Sequence, residues 1–190
     1  MYEQLHDYLD NFVKLDDEAA NEIEANFVKR KFPKNSFLAI EGEITKETHF
    51  LVKGCCRFFH IKNRRAITHW FSFENTFTTA LRSFTTQTPS NEYIQAIEDC
   101  TVLSLSYQDL MKMYDKHKQW ERRCRLGMED FCRLMLDRVT ALHTLTAKQR
   151  YIMILESEPR IIQRIPLNLI SSYLGISSET LSRVRSDIRG

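Results

Sequence analysis

Between Leu167 and Ile188 the chain reads LNLISSYLGISSETLSRVRSDI, and its last part gathers side chains able to read nucleic acid. Ser178, Glu179, Ser182, Arg183 and Arg185 offer hydroxyl, carboxylate and guanidinium groups on one side of a short helix. Such groups hydrogen-bond to base edges in a DNA major groove. Positioning them requires two packed helices. Ile170, Leu174, Ile176, Leu181 and Val184 supply the apolar contacts between crossing helices, and Ser171 is small where their backbones approach. Gly175 sits where the chain must turn, taking positive φ without a Cβ penalty. Ser177 or Ser178 then caps the second helix, and Glu179 suits the positive end of its dipole. The pattern is a helix-turn-helix, with duplex DNA as partner.

The run GISSETLSRV closely resembles the recognition-helix signature of the Crp/Fnr (catabolite activator) family of bacterial transcription regulators, in which a Glu-Thr pair is followed by an arginine. Glu179, Thr180 and Arg183 match it residue by residue. The resemblance implies that Glu179 accepts from cytosine N4 and that Arg183 donates to the O6/N7 edge of guanine. Ser177, Thr180 and Arg185 then contact phosphates and set the register. The family often carries an arginine just before the glutamate. Here that position is Ser178, which predicts an altered operator.

The chain has 190 residues and a net charge of only +2. From Thr146 to Gly190 there are seven Lys or Arg against four Asp or Glu, giving +3 and leaving −1 for the first 145 residues. The positive end coincides with the helix-turn-helix. Five cysteines (Cys55, Cys56, Cys100, Cys124 and Cys132) show neither disulfide-framework nor zinc spacing, and are expected as buried or half-buried apolar residues in a reducing cytoplasm. The segment before Phe37 lacks the cysteine cluster that iron-sulfur sensing requires. No apolar run is long enough to span a bilayer and the acidic start is unlike a signal peptide, so the expectation is a cytoplasmic protein without membrane contact. No nucleophile elbow, phosphate loop or paired-carboxylate arrangement is present, so no enzyme activity and no cofactor are expected. His49, His60 and His69 fall on expected strands, but lack a His-x-His pair with a downstream glutamate, so no metal site is expected.

Along the chain, Glu3 to Val28 shows helical spacing, with Leu5, Leu9, Phe12, Ile23 and Phe27 facing a core. Lys29 to Lys34 reads as a break. Short strands follow at 37–40, 49–52, 55–61, 67–73, 93–96 and 101–106, separated by turn signals such as Lys53-Gly54 and Lys62-Asn63. Their spacing predicts a small antiparallel barrel or roll. This order is similar to the cyclic-nucleotide-binding β-roll of the same family, with GEITKETHFLVKGCCRFFH and YIQAIEDCTVLSLSYQDL matching its strands. The family's cyclic-AMP pocket presents a glycine-glutamate start and an arginine followed by a small residue. Here Glu74 has no neighbouring glycine, Ser90, Asn91 and Glu92 stand where the arginine is expected, and Arg82 is at the wrong spacing. Cyclic AMP is therefore not the expected effector. Trp70, Phe71, Phe73, Phe77 and Phe84 read as core aromatics, with an apolar pocket for another small molecule as the alternative.

Gln108 to Leu145 reads as one long helix. From Cys124 its heptad positions are Cys124, Met128, Phe131, Met135, Arg138, Leu142 and Leu145, a largely apolar seam for a two-stranded interface. Thr146 to Glu158 is the next helix, ended by Pro159, and Arg160 to Ile165 is short for a wing hairpin. The expected fold is α+β: a sensor-like antiparallel β-roll with N-terminal helices (1–106), a dimerisation helix (107–145) and a winged-helix-like helix-turn-helix unit (146–190). The resemblance implies a homodimer on a palindromic operator, with RNA polymerase and an unidentified small-molecule effector as further partners. The competing reading is a ligand-binding or protein-interaction roll that does not bind DNA.

Overall fold

A computed structural model describes residues 2–10 and 17–189. The chain divides into two compact units, one of residues 1–58 and 71–130, the other of residues 59–70 and 131–190.

The first unit opens with helices α1 (Tyr2–Asp10) and α2 (Asp17–Asn26), followed by β1 (Val28–Phe32), β2 (Phe37–Ala39) and β3 (Glu47–Lys53). Strands β4 (Cys56–Lys62) and β5 (Arg65–Ser72) leave this unit and return to it. After them come β6 (Thr76–Thr78), α3 (Leu81–Thr86), β7 (Tyr93–Ala96), β8 (Cys100–Ser106) and α4 (Tyr107–Lys116). Two antiparallel sheets result, ordered β1-β8-β3-β6 and β2-β7-β4-β5. The expected Phe12 lies outside the described residues, as does the side chain of Ile23.

Strand alternation explains how the first sheet serves two interiors at once. On one face Phe50 of β3, opposite Leu103 of β8, joins Leu105, Leu5, Leu9, Phe27, Phe84, Leu110, Met113 and Trp120 in a cluster of buried side chains. That face is covered by helices. On the other face His49 lies opposite both Ser104 and Thr78, beside the buried apolar pair Leu51 and Val102. The Thr78 hydroxyl pairs with Ser72 of β5 at 2.6 Å.

Two sequence expectations need correction. The stretch read as a break at Lys29–Lys34 contains strand β1, paired along its length with β8. As an edge strand exposed over most of its length and carrying Lys29, Arg30 and Lys31, it lacks the apolar alternation that marks a strand. The helix read as continuous from Gln108 to Leu145 is broken at His117, whose φ of −121° and ψ of 96° are extended. Its ring nitrogen Nε2 binds Glu22 at 2.7 Å, and α5 (Lys118–Thr144) starts beyond it. Segments 76–78 and 81–86, unassigned from sequence, form β6 and the short α3.

The second unit holds the ends of β4 and β5, the later part of α5, and helices α6 (Ala147–Ser157), α7 (Arg160–Arg164), α8 (Leu167–Leu174) and α9 (Ser178–Arg189). Asn63 and Arg64 both adopt positive φ, 52° and 59°, which closes β4 and β5 as a tight two-residue hairpin. The segment expected to be too short for a wing hairpin is the helix α7. Among the described residues, no helix is long and apolar enough to cross a membrane.

His49 gives the first unit a pH dependence. The ring is 3% exposed, its Nδ1 pairs with Ser104 Oγ at 2.8 Å, and the ring of Phe32 stands edge-on to it at 5.5 Å. Burial lowers its pKa from 6.5 to about 4, with Glu47 opposing and Arg30 adding to the shift. The unfolded chain therefore takes up this proton more readily, so stability rises with pH between about 4 and 6.5 and is lost as pH falls through that window. The expected size is about 3 kcal/mol. Urea unfolding of wild type and His49→Gln at pH 4.5 and 7.5 checks it; equal slopes against pH for the two proteins would remove His49 as the cause.

Candidate nucleic-acid interface

The C-terminal helices place the side chains that the sequence singled out. Helix α8 ends at Gly175, which adopts φ 67° and ψ 36°. The Gly175 amide donates to the Ser172 carbonyl at 3.1 Å and the Ile176 amide to the Ser171 carbonyl at 3.0 Å, the two reversed bonds of a Schellman ending. Any other residue there incurs the left-handed penalty. Of the two serines that could cap α9, Ser177 does so: its Oγ accepts from the Thr180 amide at 3.1 Å. Ser178 faces back across the turn, 3.3 Å from the buried Ser171 hydroxyl.

Helix α9 is divided cleanly between two environments. Leu181 and Val184 are 1% and 7% exposed and pack with Ile170 and Leu174, which are 0% and 1% exposed. Ser177, Ser178, Glu179, Ser182 and Arg183 are exposed, and Thr180 and Arg185 are half-buried. Glu179 is held below the usual carboxylate range by hydrogen bonds from the Ser177 hydroxyl and its own amide, with the Arg183 charge adding to them. Arg183 Nη2 rests 3.4 Å from the Thr180 hydroxyl. An acceptor and a fork of donors therefore stand one helical turn apart on the same open surface. Arg185 differs from the others because its Nε is buried without a hydrogen-bond partner.

Two anchors that the sequence did not reveal hold α8. Ser172 Oγ accepts from the Thr68 amide at 2.9 Å and donates to the Ala66 carbonyl at 3.3 Å, so its hydroxyl completes the outer edge of β5. On α5, Arg138 donates to the Tyr173 carbonyl at 2.7 Å while its guanidinium lies 3.5 Å over the Tyr173 ring. Heptad spacing puts Phe131 in the seam and has Arg138 interrupt it; Phe131 instead packs edge-on against Trp70 at 5.8 Å. Neither pairing leaves a local trace, because each joins residues far apart in sequence.

The remaining candidates divide among other roles. Phe71, Phe73 and Phe84 are buried, and Phe77 packs against the helix-covered core. His49 is committed to Ser104, and the rings of His60 and His69 stack at 4.8 Å. Arg82 is exposed on α3, while Ser90, standing where the family's arginine is expected, donates its hydroxyl to the Glu92 carbonyl at 2.8 Å. A cleft of about 1370 Å³ in the first unit is lined by His49 together with Lys29, Lys31, Ile44, Lys46 and Tyr107, among others.

Replacing Ser172 by alanine leaves the Thr68 amide without its partner, at an expected cost of about 1–2 kcal/mol. Hydrogen exchange at Thr68 should accelerate selectively in this variant. Unchanged protection would mean that the hydroxyl does not hold β5.

The sequence pattern of the family described as cyclic nucleotide-binding domain matches residues 29–117. Among solved structures, FixK2 from Bradyrhizobium japonicum superposes with a TM-score of 0.75 at 20% identity, covering 86% of this chain and 84% of that one. The global regulator CLP of Xanthomonas campestris, described as responsive to c-di-GMP, gives 0.68 at 15% identity over 92% of each chain. The catabolite activator protein of Thermus thermophilus gives 0.58 at 18% identity, covering 96% of this chain and 86% of that one. No protein of curated function matches the sequence. Residues 29–117 thus match the cyclic nucleotide-binding domain pattern, and the chain has the fold of the Crp/Fnr regulators.

Proposed function

We propose that this protein is a homodimeric, sequence-specific transcription regulator of the Crp/Fnr type whose helix-turn-helix is α8 and α9. The observation that carries the reading is the division of α9, with Leu181 and Val184 buried and Glu179, Ser182 and Arg183 presented to solvent. Glu179 reads cytosine and Arg183 guanine, while Ser177, Ser178, Thr180 and Arg185 fix the register against the backbone. The regulators with the same fold support it. In this reading residues 1–106 sense, 107–145 dimerise and 146–190 bind DNA.

The dimer reading draws on α5, where Leu136 and Val139 are 68% and 52% exposed and Met128, Leu134 and Leu142 are also open. With Phe131 and Arg138 occupied within the chain, the seam becomes Met128, Cys132, Met135, Val139 and Leu142, which keeps heptad spacing. A two-fold dimer sets its recognition helices about 34 Å apart, one turn of DNA. Selection from random duplexes should therefore return a palindrome. In Arg183→Ala, discrimination at one base pair of each half-site should fall by about 1–3 kcal/mol. Absence of any enriched sequence, together with a flat salt dependence, would favour the protein-interaction reading, since phosphate contacts give a steep negative slope.

The effector is not cyclic AMP in this reading, if an effector exists at all. An anionic phosphate placed beside Ser90 and Glu92 finds no guanidinium to offset its desolvation, because Arg82 is turned to solvent. Isothermal titration with cyclic AMP should give no heat of binding. A micromolar dissociation constant would overturn this part of the proposal.

A further inference from the structure

Cys56 on β4 and Cys100 on β8 come from different sheets, yet their sulfurs lie 3.8 Å apart. The pair is enclosed: Cys56 is 0% exposed and Cys100 2%. Cys100 Sγ also lies 3.5 Å from the Cys55 carbonyl and 3.3 Å from that of Glu98. Above it the chain turns tightly at Gly54, with φ 99°. A Cβ at that position would fall 2.7 Å from the Cys100 sulfur and 2.8 Å from the Asp99 carbonyl oxygen. A glycine is therefore required; Gly54 is itself buried, and its amide donates to Glu74 Oε1 at 2.8 Å. Both flanking turns reach solvent, through exposed Lys53 and Asp99.

We propose that Cys56 and Cys100 are a hydroperoxide-oxidised dithiol, whose disulfide ties the two sheets of the roll together. The Cys100 thiolate attacks the terminal oxygen of the peroxide, the O–O bond breaks, and the leaving oxygen takes up a proton as water or an alcohol. The Cys56 sulfur then attacks the resulting sulfenic acid, the S–O bond breaks, and its oxygen leaves as water with the Cys56 proton. Two thiols and one hydroperoxide become one disulfide, one water and one alcohol (or second water). Closing to a bond of about 2.05 Å requires about 1.8 Å of approach, shared between two strands. The hydrogen bond between the thiols lowers Cys100 below the ordinary thiol value, against burial and the Glu98 charge, and raises Cys56, in keeping with Cys100 as the attacking sulfur. Hydrogen peroxide is close to water in size and reaches the pair when the turns beside exposed Lys53 and Asp99 open locally. A dithiol reductant reverses the reaction.

The test uses the folded full-length protein with all its thiols, and the peptide map separates any product at Cys132 on α5 from one at the buried pair. After treatment with hydrogen peroxide, the remaining thiols are alkylated in denaturant and the peptides mapped. The expected result is a loss of two hydrogens, a linked peptide pair containing Cys56 and Cys100, a rise in Tm, and reversal by dithiothreitol. Cys100→Ser and Cys56→Ala should each abolish the link. Full alkylation of both cysteines after peroxide, a link between Cys55 and Cys56, or irreversible oxidation of Cys100 alone would each overturn the proposal. The unsubstituted sulfurs carry the main readout, so a variant that fails to fold does not rescue the idea.

Discussion

Burial of one side of α9 is the constraint on which the rest of this molecule's C-terminal chemistry depends. A twelve-residue helix is marginal in water on its own. Here α9 is held because Leu181 and Val184 enter an apolar pocket shared with Ile170 and Leu174, with α6 also packed against it. Once that side is fixed, the 100° step between residues determines what is left outside. Glu179, Ser182 and Arg183 face solvent because their neighbours face the core. The Gly175 turn sets the entry angle, and the Ser177 cap satisfies an amide that would otherwise be unpaired at the helix start.

The supports of α8 extend this rigidity outward. Ser172 satisfies an edge amide and an edge carbonyl of β5, so the hairpin strand gains a hydrogen-bonding partner that is not a strand. Arg138 combines a charge-assisted hydrogen bond with a guanidinium stacked on an aromatic face, a pairing for which lysine would be a poor substitute. Both contacts act on consecutive residues of one helix. Together they fix its rotation and its height.

The roll uses alternation in another way. Because β3 and β8 are buried on both faces, the side chains of one strand belong to two chemically distinct interiors. Phe50, Leu103 and Leu105 build an apolar layer beneath helices, whereas the opposite layer mixes Leu51 and Val102 with His49, Ser104 and Thr78, whose polar groups must hydrogen-bond internally. The buried thiols of Cys56 and Cys100 fit that second interior, being small, weakly polar and able to satisfy one another.

The C-terminal site was legible in sequence because its determinants are local. An apolar spacing, one glycine and a capping serine lie within one short segment, and each acts through backbone geometry that neighbouring residues determine. The strands rich in β-branched and aromatic residues were legible for the same reason, and so was the overall α+β order. Strand β1 was not, since its pairing with β8 comes from hydrogen bonds that its charged sequence does not advertise. The break at His117 depends on Glu22, and the roles of Arg138 and Ser172 depend on Tyr173 and on the edge of β5. Which helix face is polar and where the chain turns can be read along the chain, because period and glycine conformation are properties of adjacent residues. Which polar side chains face solvent and which serve as internal ties is set by the fold, because a hydrogen bond between distant residues exists only once folding has brought them together.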